Sequence, residues 1–375
     1  MKHKSRHKKY LKKALRLAAK GMFTTGANPR VGCLLVKNGQ VIAEAYHQRV
    51  GEPHAEALAL QQAGSKAAGA TAYVTLEPCS HQGRNPPCAD ALIHAGIKRV
   101  VVCNDDPNPL VAGQGYDKLR NAGISVISGL LAERGDELNR GFFHRMHTCL
   151  PWVRCKLAQS IDGRTAMASG ESFWITGKPA RSHVQYWRGR SGAIITGIET
   201  VLADDCQLTV RPDQLPQKYR KLGHDFAQQQ PLRVVIDSEL RIPPAARVFE
   251  HAATVLVVTA SENRQKSQQL EALGAQVKVL PDQQGAVDLG AVIRYLGTIE
   301  INEVLVESGP TLAGAMLQQQ LLDELLIFTA PVIMGSAARP LFKIDIEEMA
   351  KRLHIKPIQF KALGNDWLIR ALVKQ

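Results

Sequence analysis

The chain has 375 residues, 45% of them hydrophobic and 22% charged, which favours a globular protein of two domains. No run of about eighteen apolar residues could span a bilayer, and no apolar segment follows the basic start as in a signal peptide. We therefore expect a cytoplasmic protein without a membrane partner. Seven cysteines, an odd number dispersed along a long chain, argue against a disulfide framework.

The formal net charge of +13 comes largely from one N-terminal segment, MKHKSRHKKYLKKALRLAAK, and the first acidic residue is Glu44. Leu11, Ala14, Leu15 and Ala18 form an apolar stripe at helical spacing. The segment therefore predicts a helix with one buried face and one solvated basic face. A contact with nucleic acid is the alternative interpretation of that basic face.

The elements that follow alternate as in a layered α/β domain with a mixed sheet. VGCLLVKNGQVIAEAYH predicts a hairpin that turns at Asn38-Gly39, the residues preferred in two-residue turns. HAEALALQQAG and PCADALIHAG predict helices, and ATAYVTLEP and IKRVVVCN predict strands. FFHRMHTCLPWV interrupts the alternation and Pro151 indicates a boundary, so we predict domains at residues 1–149 and 150–375.

The second half alternates again. Strands are predicted near WVRCKLAQS, GAIITG, PLRVVIDS, TVLVVTA, AQVKVL, EVLVES and ELLIFTAP, and helices near residues 178–189, 262–273 and 311–319. Residues 212–231, rich in Gln and Pro, predict a polar excursion of little structural weight.

A possible metal site lies in the first half. His54 and Glu56 begin a predicted helix, and Cys79 and Cys88 flank a loop before the next helix. Two thiolates and an imidazole suit Zn²⁺, and three protein ligands leave a fourth position for water, as in catalytic sites. H-x-E followed by P-C is the signature of zinc-dependent deaminases, in which the glutamate moves protons. The sequence therefore predicts a zinc site with His54, Cys79 and Cys88 as ligands and Glu56 as the catalytic residue.

The remaining cysteines are expected to serve as small buried apolar residues. Cys33, Cys103, Cys149 and Cys155 lie in or beside apolar stretches such as VGCLLV and VVCND.

The motifs TGANPRVGCLLV, HAEALAL, TLEPCSHQGRNPPC and DDPNPLVAGQG resemble the deaminase half of the bifunctional riboflavin-biosynthesis deaminase-reductase family. The two cysteines of that family have the wide spacing found here, and the similarity covers residues 8–147. It implies a cytidine-deaminase-like three-layer domain with a mixed sheet, and a substrate contact from Asn28. His81 is expected near the site, facing substrate or solvent. The chain departs from the family at Ala27, usually Pro, and at Asn85, usually Thr.

The second half contains no G-x-G-x-x-G fingerprint of a dinucleotide-binding fold. KLAQSIDGRTAMASGESFWITG, TGIETVLADDCQLTVR and VESGPTLAGAML instead place small residues and hydroxyls beside predicted strand ends. The last of these leads into a helix whose N-terminus could bind a phosphate, although ordinary turns are the alternative. Together the three segments resemble the reductase half of the same family over residues 152 to about 335. The resemblance implies a dihydrofolate-reductase-like α/β domain that uses NADPH.

Carried over position by position, the resemblance implies two sets of contacts. The cofactor contacts are Ala158, Trp174, Thr200, Asp204, Ser238, Gly309, Pro310, Thr311, Leu312, Ala313, Gly314 and Ala315. The substrate contacts are Lys156, Ser172, Arg188, Leu208, Arg211 and Glu307. Arg188 and Arg211 could clamp a phosphate, with surface salt bridges as the alternative, and Trp174 offers a flat face to a ring. Asp204 and Glu307 are candidates for proton handling. The chain departs from the family at Phe173, often Lys, at Cys206, often Pro, and at Ser308, often Gly.

The expected function is that of a two-step enzyme of riboflavin biosynthesis. The resemblance implies zinc-dependent hydrolytic deamination of 2,5-diamino-6-(5-phosphoribosylamino)pyrimidin-4-one, then NADPH-dependent reduction of the ribosyl group to ribityl. It also implies a homo-oligomer with no nucleic-acid partner. One alternative is a zinc-dependent nucleic-acid base deaminase with a basic RNA-binding tail. The other is a single-activity deaminase with a degenerate reductase half.

Overall fold

The computed structural model describes residues 2–80, 86–108, 112–223, 226, 229–250 and 254–373. The loop residues His81 and Asn85 lie outside these ranges. The chain forms two compact units, Met1–Cys149 and Leu150–Gln375. Among the described residues, no helix combines the length and the apolar character needed to cross a bilayer.

The first unit is a five-stranded mixed sheet covered by helices. Its elements in chain order are α1 (Lys2–Ala18), β1 (Gly32–Lys37), β2 (Gln40–Tyr46), α2 (Ala55–Ala63), β3 (Thr71–Leu76), α3 (Cys88–His94), β4 (Arg99–Asn104), α4 (Gln114–Asn121), β5 (Ser125–Ile127) and α5 (Ala132–Thr148). The strand order is β2-β1-β3-β4-β5. β1 is antiparallel to β2 and β3, whereas β3, β4 and β5 are parallel to one another. The carboxyl ends of β3 and β4 therefore meet at one edge of the sheet, followed by the segments that lead to α3 and α4.

The buried face predicted for α1 is confirmed, since Leu11, Ala14, Leu15 and Ala18 are all buried. Cys33, Cys103 and Cys155 are also buried, as expected from their apolar neighbours. The prediction for Cys149 is wrong, because this residue is exposed. Cys149 follows the last residue of α5 with a φ of 62°, so the chain turns there and its side chain leaves the apolar face of the helix.

Helix α5 corrects the interpretation of FFHRMHT as an interruption of the alternation. Leu138 and Phe142 are buried and Met146 packs against the same core, at four-residue spacing. Asn139 departs from helical geometry with a φ of −112°. Its side chain accepts a hydrogen bond from the backbone N–H of Arg30 (2.8 Å) and donates one to the Arg30 carbonyl (3.0 Å). The polar residues between the apolar positions hid this helix in the sequence.

The second unit is built on a nine-stranded sheet. Its elements in chain order are β6 (Trp152–Ser160), β7 (Arg164–Ala166), α6 (Lys178–Arg190), β8 (Ala193–Gly197), α7 (Ile198–Asp204), β9 (Leu232–Ile236), β10 (Val255–Thr259), α8 (Arg264–Glu271), β11 (Gln276–Val279), α9 (Leu289–Thr298), β12 (Glu303–Glu307), α10 (Pro310–Gln318), β13 (Glu324–Ala330), β14 (Arg339–Pro340), β15 (Ile355–Leu363) and β16 (Asp366–Val373). The order in the large sheet is β11-β10-β9-β8-β12-β6-β13-β16-β15, and β7 pairs with β14. The first seven strands in this order are parallel, and the hairpin β15–β16 joins β13 in the antiparallel sense.

Two parts of the second unit carry more structure than the sequence indicated. In the excursion at residues 212–231, Leu215 and Phe226 are buried and the ring of Tyr219 stacks on that of Tyr186 at 4.6 Å between centroids. The hairpin β15–β16 was not predicted, although a turn at Gly364 separates two alternating runs. Its inner strand buries Leu368 and Ala371 beside β13, so residues 355–373 complete the sheet.

Candidate active sites

The three predicted metal ligands of the first unit lie together. His54 immediately precedes α2, Cys79 follows the end of β3, and Cys88 is the first residue of α3. His54 Nδ1 lies 3.3 Å from Cys88 Sγ and 3.6 Å from Cys79 Sγ. All three donor atoms lie within 4.8 Å of one another. The fold thus brings the ends of three secondary-structure elements together at one site.

The spacing of these donor atoms fits a tetrahedral zinc ion. Zn–S bonds of about 2.3 Å and Zn–N bonds of about 2.0 Å at tetrahedral angles place nitrogen and sulfur about 3.6 Å apart. Within the described part of the chain the group has three members, His54, Cys79 and Cys88, which leaves one position of a tetrahedron for water or substrate. The donor set therefore fits a catalytic rather than a structural zinc site.

The start of α3 stabilises a thiolate at Cys79. The backbone N–H of Cys88 donates to Cys79 Sγ at 3.3 Å, and the N–H of Ala89 donates to the Cys79 carbonyl at 3.1 Å. Hydrogen bonds from the Cys88 side chain and from His54 lower the pKa of Cys79 to about 4, against an opposing effect of burial. Since the thiolate is the form that binds metal, this arrangement favours binding at neutral pH.

Glu56 lies in the first turn of α2 beside the three donors. Its side chain is only 3% exposed, and burial raises the pKa of its carboxyl to about 7, with the charge of His54 opposing the rise. The carboxyl also interacts with the thiol of Cys88. Glu56 is thus a carboxyl group near the open ligand position that can both accept and release a proton, as general acid-base chemistry requires.

Asn28 reaches this site through a histidine that sequence reasoning missed. Asn28 Nδ2 donates to His47 Nε2 at 3.0 Å, and His47 Nδ1 lies 3.3 Å from the Pro53 carbonyl, which assigns the proton to Nδ1. The ring of His47 packs edge-on against His54, with 5.7 Å between centroids. Burial lowers the pKa of His47, so the neutral ring is favoured. The one sequence signal was a histidine directly after the second strand of the hairpin.

In the second unit, Glu307, Arg188 and Lys156 form a buried charged group. Glu307 ends β12 and pairs in register with Lys156 of the neighbouring β6. Arg188 of α6 donates from Nε (2.6 Å) and Nη2 (3.0 Å) to the two carboxylate oxygens of Glu307. Burial lowers the pKa of Lys156, opposed by Glu307, and burial raises the pKa of Asp204, opposed by Lys156. Burial alone would raise the pKa of Glu307, but Arg188 and Lys156 lower it.

Arg188, predicted as a phosphate clamp, already bonds partners within the protein. Its third donor position, Nη1, donates to the Thr209 carbonyl at 2.9 Å. The guanidinium therefore bonds Glu307 on one edge and Thr209 on the other, and its contact with a phosphate stays a prediction. The second predicted clamp, Arg211, has an exposed side chain, and its backbone N–H donates to Gln185 at 2.9 Å.

The predicted cofactor contacts follow adjacent parallel strands in the order β9-β8-β12. Ser238 follows β9, Thr200 lies in the helix after β8, and Gly309 follows β12. Because the carboxyl ends of parallel strands meet at one edge of a sheet, these residues lie at the same edge, the place where ligands of open α/β sheets bind. A Cβ placed on Gly309 would meet no atom within 4 Å, so this turn is open.

The predicted cofactor contacts at residues 309–315 differ in their exposure. Gly309 and Thr311 are exposed, whereas Ala313 and Gly314 are buried, with Gly314 packed against residues 343–344. Pro310, Leu312 and Ala315 are half-buried. The accessible part of the turn is therefore its first residues, where α10 presents its free N–H groups.

The other predicted contacts of this unit differ in accessibility. Ala158 and Ser172 are half-buried, and Leu208 is buried in an apolar cluster with a φ of 53°. Trp174 is 69% exposed, and the Arg181 guanidinium lies 4.5 Å from its ring centroid. Arg181 thus lies over one face of Trp174, and the Phe173 ring packs edge-on with 5.1 Å between the two centroids.

Two cysteine ligands, a histidine at a helix start and a buried glutamate on a five-stranded mixed sheet define a zinc-dependent deaminase. The second unit has a different fold from the deaminase unit, because its nine-stranded sheet is mostly parallel. Residues 4–104 match the model of the cytidine and deoxycytidylate deaminase zinc-binding region, and residues 151–369 match the RibD C-terminal domain.

The full chain is similar to the riboflavin biosynthesis protein RibD of Escherichia coli, with 48% identity over 95% of this chain and 96% of that protein. The RibD of Haemophilus influenzae is 44% identical over 95% of each chain. A structure of Acinetobacter baumannii RibD superposes with a TM-score of 0.90 at 44% identity, over 99% of this chain and 100% of that one. A Thermotoga maritima diaminohydroxyphosphoribosylaminopyrimidine deaminase/5-amino-6-(5-phosphoribosylamino)uracil reductase superposes with a TM-score of 0.87 at 33% identity, with the same coverage.

The chain belongs to the RibD family of riboflavin biosynthesis proteins. It is a bifunctional enzyme that joins a deaminase to a reductase and uses Zn²⁺ and NADPH. The match to the C-terminal model continues to residue 369, so the expectation that the similarity fades after residue 335 is wrong. The reason is structural, since β16 pairs with β13 and is part of the family sheet.

Proposed function

We propose that residues 1–149 are the deaminase domain and residues 150–375 the reductase domain. The deaminase acts on 2,5-diamino-6-(5-phosphoribosylamino)pyrimidin-4-one, and the reductase converts the ribosyl group of its product to ribityl. The observation that carries the first assignment is the convergence of His54 Nδ1 and the sulfurs of Cys79 and Cys88 within 4.8 Å. We also propose that the enzyme works in the cytoplasm, where NADPH and phosphorylated nucleotide precursors are available.

In the deaminase, His54, Cys79 and Cys88 are the zinc ligands and Glu56 is the proton carrier. Zinc held by these three residues would lower the pKa of a bound water and so favour its attack on the carbon that bears the leaving amine. Glu56 takes the proton from the attacking water and gives it to the departing nitrogen, so that ammonia leaves as a neutral molecule. Asn28, held by His47, is placed to bind the polar edge of the pyrimidine.

In the reductase, NADPH held at this edge of the sheet would supply the hydride for reduction of the ribosyl group at C1. The open turn at Gly309 and Thr311 binds the cofactor phosphates, with Ser238 and Thr200 beside it. Lys156 and Glu307 bind the ribose oxygens, and Lys156 or Asp204 supplies the proton that balances the transfer. Alignment of the cofactor and the substrate at this edge of the sheet, together with exclusion of water, supplies the remaining rate enhancement.

Removal of zinc is expected to separate the two activities. The purified protein should contain about one zinc per chain, as a three-ligand catalytic site implies. Treatment with a chelator should abolish ammonia release from the diaminopyrimidine, while NADPH oxidation with supplied deaminated intermediate continues. Added zinc should restore ammonia release. Ammonia release by zinc-free protein would contradict the proposal.

Cysteine variants locate the metal within the chain. Cys79→Ser should lose zinc, whereas Cys149→Ser, which alters an exposed cysteine, is the matched control and should keep it. Equal zinc contents in the two variants would refute the ligand set.

We further propose that the protein is a homodimer formed through the outer strand of the large sheet. β15 lies at the edge and is exposed along most of its length. Phe360 is 71% exposed, and Ile355, Ile358 and the neighbouring Trp367 are exposed as well. Exposed aromatic and aliphatic side chains on an edge strand favour pairing with another chain, although β15 also carries Lys356, Pro357 and Lys361. A second copy of the chain presents the same strand and can pair with it in a symmetric interface.

Phe360→Asp is therefore expected to convert a dimer into a monomer in sedimentation equilibrium. Leu273→Asp alters an exposed apolar residue next to α8, which packs against β11 at the opposite edge of the sheet, and should leave the dimer intact. A monomeric wild type, or a dimeric Phe360→Asp variant, would contradict this interface.

A further inference from the structure

The carboxylate of Glu77 lies two residues before the proposed ligand Cys79 and has no role in the chemistry described so far. It is 3% exposed and accepts four backbone hydrogen bonds. Oε1 accepts from Gly115 N (3.1 Å) and Tyr116 N (3.4 Å), and Oε2 accepts from Gly113 N (3.2 Å) and Asp106 N (3.3 Å). All four donors belong to the segment that includes the motif DDPNPLVAGQG.

Three of these donors are the free N–H groups at the start of α4. Gly113 is the N-cap residue, with a φ of 78°, and has no side chain to bond the first N–H groups of the helix. Buried N–H groups at a helix start need acceptors, normally from the N-cap side chain. Glu77 supplies them from another part of the chain, and its negative charge suits the positive end of the helix dipole.

The same segment packs directly on the backbone beside Cys79. A Cβ on Gly115 would lie 2.1 Å from the Pro78 carbonyl oxygen, so only glycine fits there. α4 continues to Lys118, which pairs with Asp90 of α3 at 2.6 Å. α3 in turn begins at Cys88. Glu77 thus links the end of β3, which leads to Cys79, to the start of α4. Through α4 it is linked to α3, which begins at Cys88.

We propose that Glu77 is a positioning residue of the deaminase, which fixes α4, and through it α3, so that Cys88 is held at the correct distance from Cys79. The proposal rests on the proposed ligand set. A carboxylate is required rather than an amide, because both oxygens accept and the –NH₂ of a glutamine would face two N–H donors. Outer partners of metal ligands typically change metal affinity or activity by about 10- to 100-fold when altered.

Glu77→Gln tests this role with a readout other than activity. We expect the rate of zinc release to a chromogenic chelator to rise about 10- to 100-fold. The kcat of deamination should fall by a similar factor while KM changes little, because the metal and not the substrate contact is displaced. NADPH oxidation with supplied deaminated intermediate should be unchanged, which shows that the second unit is folded and active.

Two further variants complete the test. Asp117→Asn removes an exposed ion pair with Arg120 within α4 but leaves the Glu77 bonds and the Lys118–Asp90 link to α3, and it should release zinc like the wild type. Gly115→Ala keeps the carboxylate but forces α4 away from Pro78, and it should accelerate zinc release as Glu77→Gln does. If Glu77→Gln does not accumulate, Gly115→Ala decides the question.

Zinc release within twofold of wild type in Glu77→Gln or, if that protein does not accumulate, in Gly115→Ala would overturn the positioning role. The Cys79→Ser variant separates this outcome from failure of the ligand set. If Cys79→Ser keeps its zinc, the ligand set is wrong and the positioning role falls with it. If Cys79→Ser loses zinc and zinc release in Glu77→Gln is normal, only the role of Glu77 is refuted.

Discussion

Glu56→Gln is expected to lower the kcat of deamination by about 10²- to 10⁴-fold, the contribution usual for a positioned general acid-base group. The amide is close in shape to the carboxyl and remains buried in α2, but it cannot take a proton from water and pass it to the leaving nitrogen. Zinc content should remain that of the wild type, since Glu56 is not among the three clustered donors. The measurement is ammonia release from the diaminopyrimidine under single-turnover conditions.

The reductase supplies an internal control for that experiment. NADPH oxidation with supplied deaminated intermediate should be unaffected by Glu56→Gln. Glu52→Gln, four residues earlier and partly exposed, is a matched substitution and should change neither activity. Unaltered ammonia release in Glu56→Gln would remove Glu56 from the mechanism, and loss of both activities would show that the two sites are not independent.

Glu307→Gln is expected to reduce both the reductase rate and the stability of the second unit. The side chains of Arg188 and Glu307 are only 14% and 11% exposed, and removal of one partner leaves the other as a buried unpaired charge. Breaking a buried pair in this way costs about 3–5 kcal/mol. Loss of the charge beside Lys156 should lower kcat by about 10²- to 10³-fold, the effect typical of a fixed electrostatic group in an active site.

Tryptophan fluorescence during urea unfolding measures the free energy of unfolding of the second unit alone. All four tryptophans of the chain (Trp152, Trp174, Trp187 and Trp367) lie within it. Glu348→Gln removes the exposed ion pair with Lys351 and is the control, with an expected cost below about 1 kcal/mol. A Glu307→Gln protein with wild-type stability and NADPH oxidation would show that the buried pair has neither function.

The zinc site was predictable because its residues lie at element starts in a short stretch of chain. Thiolates and imidazole have few alternative partners, so the pattern H-x-E with P-C already implied the donor set. The reductase site was less predictable, because Arg188 and Glu307 are 119 residues apart and meet only through the order of the sheet. Nothing local indicated that the Arg188 guanidinium bonds a carboxylate and a carbonyl within the protein.

Other misses have a common physical origin. Helix α5 has apolar residues on one narrow face, and the intervening Arg and His residues conceal its period. His47 and Glu77 act through contacts with segments distant in sequence, so neither forms a local motif with its partners. The close packing of Gly314 depends on residues 343–344, which pass over α10 after two intervening strands.

The division of the chain at residue 149 has a consequence for gene organisation. Every strand of the five-stranded sheet comes from the first segment, and every strand of the nine-stranded sheet comes from the second. Neither sheet needs a strand from the other segment, so the two halves could be encoded by separate genes without cutting through a β-sheet. What the covalent link adds is dosage, because each round of translation yields one deaminase and one reductase in equal number.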